Sequence, residues 1–213
     1  MIKIGVLALQ GDFAEHIAIL GRMEVAASEV RLPQHLDELD GLIIPGGEST
    51  TIGKLAVAYD LLGPLRQFGQ RKAIWGTCAG AIFLSKDARR PQPLLELMDI
   101  TVERNAFGRQ VASFEVDLDV PALHLVDDTP VDETLPYHAI FIRAPLIETV
   151  HGEARALARL DDGRIVAAQQ GYWLATSFHP ELTQDDRFHR YFVHLTAAAL
   201  TAGREELQQG LDR

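Results

Sequence analysis

"AIWGTCAGAIFL" (residues 73–84) carries the only cysteine of a 213-residue chain, set among small residues where an apolar run ends. The stretch reads as strand, turn and helix. "KAIWGT" (72–77) has the length and apolar character of a buried strand, and "AGAIFLSK" (79–86) opens as a helix. Between them, G-T-C-A-G is a G-x-nucleophile-x-G pattern in the context a nucleophile elbow requires. Bulky neighbours would clash on so tight a turn, which accounts for Gly76, Ala79 and Gly80. Cys78 would also sit at a helix start, where the macrodipole favours thiolate over thiol. A lone cysteine is more often a buried structural thiol; the elbow context reverses that preference.

On either side of the elbow the sequence alternates between strand and helix periods. "KIGVLALQ" (3–10) is an apolar run of strand length, and "DFAEHIAILGRM" (12–23) puts Phe13, Ile17 and Leu20 on one helical face with Asp12 as N-cap. "SEVRL" and "DGLIIPGG" (40–47) read as two more strands, the latter stopped by Pro-Gly-Gly. Ser49, Thr50 and Thr51 are N-cap types for a helix expected through about Phe68. This alternation predicts a doubly wound α/β fold with a mostly parallel central sheet. In the second half, "QVASFEVDL", "AIFIRAP", "RIVAAQQ" and "YWLATSF" read as shorter strands, some of them antiparallel extensions, before an amphipathic helix at 185–200. The expectation is a three-layer α/β/α sandwich forming one domain over 1–202, with a polar tail at 203–213 that frays.

Composition narrows the function. A hydrophobic fraction of 47% with 23% charged residues is that of an ordinary soluble globular domain and excludes a mostly disordered chain. A net charge of −10 excludes nucleic acid as the main partner, since phosphate binding needs a basic surface. The apolar stretch of "MIKIGVLALQGDFAEH" ends at Gly11-Asp12, too soon for a signal peptide, and no run approaches the ~18 apolar residues of a membrane span. A single cysteine forms no internal disulfide, so a reducing, cytoplasmic setting and no membrane are expected.

A nucleophilic cysteine needs a base, and the base needs an orienting group. His179, in "ATSFHPELT", is the best placed of eight histidines: it follows a strand-like run, and Pro180 biases it away from helix. In an extended segment residues i and i+2 share a side, so Glu181 can reach the ring. His16 reads as an exposed or partly buried helix position, and His189 and His194, five apart on the last helix, do not share a face. His35, His124, His138 and His151 fall in loop-like polar surroundings. No His/Cys/Asp/Glu cluster has zinc spacing, so no metal and no cofactor are expected. "IIPGGESTTIGK" (43–54) is not a phosphate loop, because five residues separate Gly47 from Gly53-Lys54 and Leu55 replaces the required Ser/Thr. It reads instead as a strand-end turn whose Gly47 N–H, with that of Ala79, faces an oxyanion.

G-T-C-A-G with H-P-E resembles the triad class (class I) of glutamine amidotransferases. "LALQGDFAEH", "PGGESTT", "VERNAFGRQ", "FIRAP" and "SFHPELT" resemble in particular the glutaminase subunits of pyridoxal 5′-phosphate synthases, in the same order from residue 2 to about 200. The resemblance implies that Cys78 attacks the side-chain amide of L-glutamine, His179 relays the proton and Glu181 orients His179. It also implies that Gly47, Glu48 and Ser49 line the glutamine site, that Arg104 binds the α-carboxylate, and that Ile142 and Arg143 contact the substrate. The ammonia would pass to a separate synthase subunit that condenses it with ribose 5-phosphate and glyceraldehyde 3-phosphate. Docking would activate the glutaminase, in a particle of twelve synthase and twelve glutaminase chains. Glu96, where relatives tend to have glycine, and the tail after about Ala202 depart from the family pattern. Alternative readings are a glutaminase serving another synthase, a stand-alone cysteine hydrolase, or a non-enzymatic redox-sensing thiol; the last gives Glu181 and the two arginines no role.

Overall fold

A computed structural model describes residues 1–104, 113–127 and 135–211, with side chains through residue 205. Four strands make the parallel half: β1 (Lys3–Leu7), β2 (Ala26–Val30), β3 (Gly41–Ile44) and β4 (Ala73–Thr77). They are interleaved with helices α1 (Phe13–Arg22), α2 (Ser49–Ala58) and α3 (Leu62–Gly69). After the elbow come α4 (Ala79–Leu84), β5 (Ser85–Asp87) and β6 (Met98–Glu103). The second half supplies β7 (Ser113–Leu118), β8 (Tyr137–Ile142), β9 (Leu146–Val150), β10 (Arg155–Arg159), β11 (Ile165–Gln170), β12 (Trp173–Thr176) and α5 (Arg187–Leu211). Among the described residues the main sheet runs β2-β1-β3-β4-β12-β11-β9-β6-β5, with β10 alongside β11, while β7 and β8 form a separate hairpin sheet. β2 through β12 are parallel along that order; β11, β9 and β6 add the expected antiparallel extension.

Strand alternation divides the interior in two. Leu42, Ile44 and Ile74 face α2, α3 and α4 together with Ile52, Leu65 and Phe83. Ile43, Ala73 and Trp75 face α1 and α5 together with Leu20, Phe188 and Phe192. This is the predicted three-layer sandwich. Trp75, fully buried, stacks beside Phe188 and Phe192; a side chain of that size removes roughly 150–250 Å² from water and dominates its layer. No helix of the described residues is long and apolar enough to cross a membrane.

Several local expectations need correction. The helix expected through Phe68 breaks after Ala58. Asp60 adopts φ 55°, and the Leu61 and Asp60 N–H groups bond back to the Ala56 and Val57 carbonyls, the six-to-one and five-to-two pattern that ends a helix. The N-cap of α2 is Glu48, whose carboxylate accepts the Thr51 N–H, rather than Ser49, Thr50 or Thr51. Asp12 precedes α1 but makes no capping bond. α4 stops at Leu84 because Ser85 turns to β-backbone and enters β5, and α5 continues past residue 200 to Leu211. Glu96 holds a left-handed φ of 57°, a backbone that favours glycine. Arg66 clamps this turn through the Leu94 and Leu95 carbonyls and the Glu96 carboxylate.

The elbow is packed backbone to backbone. A Cβ on Gly80 would lie 2.0 Å from the Ile44 carbonyl oxygen of β3, a clash that moving a side chain cannot relieve. Gly80→Ala is therefore expected to destabilise the fold by about 1–3 kcal/mol. Gly21→Ala on α1, where a Cβ meets nothing within 4 Å, is expected to be neutral or stabilising by up to ~1 kcal/mol. Thermal unfolding of the two variants beside the parent checks the contrast.

Candidate functional site

The site forms where three neighbouring parallel strands end. β4 lies between β3 and β12 in parallel register, Ile44 opposite Gly76 and Thr176 opposite Thr77. The residues that follow their carboxyl ends, Gly46-Gly47, Cys78 and His179, are thereby brought together, as ligand sites in open α/β sheets generally are. Cys78 takes φ 47° and ψ −105°, a backbone that L-residues adopt only under constraint. Its N–H donates to the Thr176 carbonyl at 2.8 Å, tying the elbow to β12.

His179 is reached by a different local path from the one expected. It starts a short 3₁₀ turn, Pro180–Leu182, rather than an extended segment. Across that turn His179 Nδ1 and Glu181 Oε1 stand 2.6 Å apart, both residues buried. Burial works against the charged ring, but Cys78 on one side and Glu181 on the other outweigh it and raise His179 to about 11. His179 Nε2 forms no hydrogen bond among the described residues. Burial pushes Glu181 up, and the neighbouring imidazole only partly offsets this.

A cavity of about 550 Å³ opens in front of this pair. Cys78, Ala79 and His179 line it, together with Gly47, Glu48, Ser49, Arg104, Ile142 and Arg143. Every expected site residue except Glu181 therefore lines one space, and Glu181 stands behind His179. Gly47 has φ 147°, and a Cβ there would meet the Gln10 side chain at 2.6 Å. Gln10 Oε1 accepts the Glu48 N–H at 2.6 Å, so Gln10, which the sequence did not single out, fixes this turn. Arg104 donates to Glu48 Oε1 at 2.8 Å and to Thr50 Oγ1 at 3.1 Å. For Glu48, burial disfavours the charge, but bonds from Thr51 and Thr50 prevail and bring it down to about 2. The wall thus presents a fixed anion beside a guanidinium. The rest of "VERNAFGRQ", from Asn105 on, lies outside the described residues.

The histidines hold the main surprise. His16, expected at an exposed or partly buried position, is 0% exposed, and so is His189. Their rings meet at 2.9 Å between Nδ1 of His16 and Nε2 of His189. Burial holds His16 well below its ordinary value, with His189 and His179 adding to it, and lowers His189 to about 3, with Arg22 adding to it. Both rings are neutral. His16 Nε2 lies 3.4 Å from Glu181 Oε2. Asp12, the expected cap, instead approaches His179 Nδ1 at 3.7 Å. His138 is on β8, not in a loop, between Glu115 and Asp117. The spacing signal missed the His16–His189 contact because 173 residues separate the two rings.

Comparison with known proteins agrees with this geometry. The model of the SNO glutamine amidotransferase family matches residues 6–198. The chain is 55% identical over 199 residues to pyridoxal 5′-phosphate synthase subunit PdxT of Herpetosiphon aurantiacus, covering 91% of this chain and all of the relative. It is 54% identical over 196 residues to the same subunit of Roseiflexus sp. strain RS-1, covering 90% and 99%. A crystal structure of a glutamine amidotransferase superposes with a TM-score of 0.82 at 47% identity, covering 91% of this chain and 98% of that one. The chain belongs to the SNO glutamine amidotransferase family.

Proposed function

We propose that Cys78, His179 and Glu181 carry out the glutamine hydrolysis of this amidotransferase, acting as the glutaminase subunit of a pyridoxal 5′-phosphate synthase. The observation that carries the reading is His179 held between the Glu181 carboxylate at 2.6 Å and the Cys78 side of a cavity large enough to hold an amino acid. Cys78, as thiolate, attacks the δ-carbon of L-glutamine. The N–H groups of Gly47 and Ala79 receive the developing oxyanion. His179, charged at rest, gives its Nε2 proton to the departing ammonia. A glutamyl thioester remains; His179 then takes a proton from water, whose oxygen attacks the thioester, and glutamate leaves as Cys78 is regenerated.

The paired charges of Glu48 and Arg104 suit the α-ammonium and α-carboxylate of the substrate, with Arg104 supplying a planar two-pronged donor. Ser49, Ile142 and Arg143 complete the glutamine contacts. Residues 1–202 form the glutaminase domain, with 203–213 outside the chemistry. No metal or other cofactor enters these steps. The partner is a synthase subunit that condenses ammonia with ribose 5-phosphate and glyceraldehyde 3-phosphate, in the family pattern of twelve plus twelve chains. Docking settles the peptide beside Gly46-Gly47, and a lone reactive thiol suits a reducing cytoplasm.

Ammonia release from glutamine, measured with and without the cognate synthase subunit, tests the reading. Release that rises on mixing and vanishes in Cys78→Ala supports it; undiminished release from Cys78→Ala removes Cys78 as nucleophile. Glu181→Gln removes one of the two groups that favour the imidazolium, so His179 comes down from about 11 while Cys78 still opposes burial. The expected outcome is a kcat reduced at least about a hundredfold, with a residual rate that falls as pH rises through the lowered His179 value. Parent activity is expected to show no such histidine limb below about 11. Arg104→Lys keeps the charge but loses the fork, and is expected to raise KM for glutamine at least tenfold with a smaller change in kcat.

A further inference from the structure

Behind the proposed triad, two neutral imidazoles occupy a layer otherwise filled by aromatic and aliphatic side chains. His16 stands edge-on to Trp75 at 5.7 Å, and His189 edge-on to the same ring at 5.0 Å. Burying polar rings there is unfavourable unless their bonding groups are used, and the triad chemistry uses neither ring. One end of the pair abuts the triad. His16 Nε2 lies 3.4 Å from Glu181 Oε2 and 3.4 Å from Thr77 Oγ1, the residue just before Cys78. Glu181 Oε2 is itself buried and accepts no formed hydrogen bond among the described residues. The separation exceeds an ordinary N–H···O bond, so the contact is electrostatic at rest.

Proton placement follows from counting donors. If His16 Nε2 were bare, its lone pair would face a buried carboxylate oxygen. The Nδ1 proton of His16 would then point to His189 Nε2, leaving the proton on His189 Nδ1, an atom with no partner. A buried orphan N–H is the costlier defect. In the other arrangement His189 Nε2–H donates to His16 Nδ1, and His16 Nε2–H points at Glu181 Oε2 with Thr77 Oγ1 sharing it. Only a bare nitrogen is then left at His189 Nδ1.

We propose that His16, fixed in this tautomer by His189, is a positioning residue: its Nε2–H holds the rear oxygen of Glu181 so that the front oxygen stays aligned on His179 Nδ1. The inference rests on the triad reading above. A carboxylate anchored at one oxygen only is free to rotate about its terminal torsion, and such anchoring of an orienting group commonly matters ten- to hundredfold in metal sites.

The test is steady-state glutaminase kinetics of the complex with the synthase subunit, for the parent, Cys78→Ala, His16→Leu and His16→Gln. Expected are a kcat about ten- to a hundredfold lower in His16→Leu, with KM for glutamine within about twofold, and substantial recovery in His16→Gln, whose amide N–H reaches the carboxylate. Parent-like kcat in His16→Leu, or His16→Gln no better than His16→Leu, would overturn the proposal. Nitrogen-15 NMR of the unmutated protein decides the matter even if the variants do not fold. A neutral His16 protonated on Nε2 supports the proposal, and one protonated on Nδ1 sinks it. A parent that releases no ammonia, or a Cys78→Ala that still does, would refute the triad reading instead.

Discussion

The left-handed backbone at Cys78 is the constraint on which the rest of the molecule turns. A φ of 47° in a residue with a side chain costs of order 1–3 kcal/mol and persists only because everything around it is fixed. β3 and β12 hold β4 on both sides, the Thr176 carbonyl takes the Cys78 N–H, and Gly76 and Gly80 let α4 start against the sheet with no intervening side chain. The strain is local, whereas the support is spread through the parallel half of the sheet. The same arrangement aligns the three strand ends whose loops line the cavity, so the fold and the site have one cause.

Charge organises the site as firmly as backbone does. His179 is buried, which by itself would keep it neutral, yet Cys78 and Glu181 together reverse that preference. Glu48 undergoes a similar contest, won by hydrogen bonds from the first turn of α2. In both cases one side chain is gripped from several directions, and the charged form is set before any substrate arrives. Such preorganisation needs no rearrangement of dipoles at the moment of reaction.

Legibility in the sequence followed the range of the interactions. G-T-C-A-G and H-P-E are local patterns set by neighbours one or two residues away, and the residues read from them, Cys78, His179 and Glu181, lie together at the strand ends. The cavity walls were legible only through resemblance, because nothing in the spacing of Glu48, Arg104 and Arg143 says that they meet. Glu48 as the cap of α2 was hidden behind three better cap types, and the Asp60 break lacked the glycine that usually marks a left-handed stop. β9 and β10 went unread because they carry half-buried, mixed sequences without a clean strand alternation. His16 was misjudged for a deeper reason: a polar residue on an amphipathic helix defaults to the wet face, and its partner His189 lies near the other end of the chain.

One thiol in 213 residues, opening into the site cavity, makes the molecule its own counting device. A thiol-directed reagent shaped like the side chain of glutamine has a single target, and each equivalent bound reports one assembled elbow. The fraction labelled in a preparation then counts the chains whose single thiol opens into the cavity, without any turnover being followed.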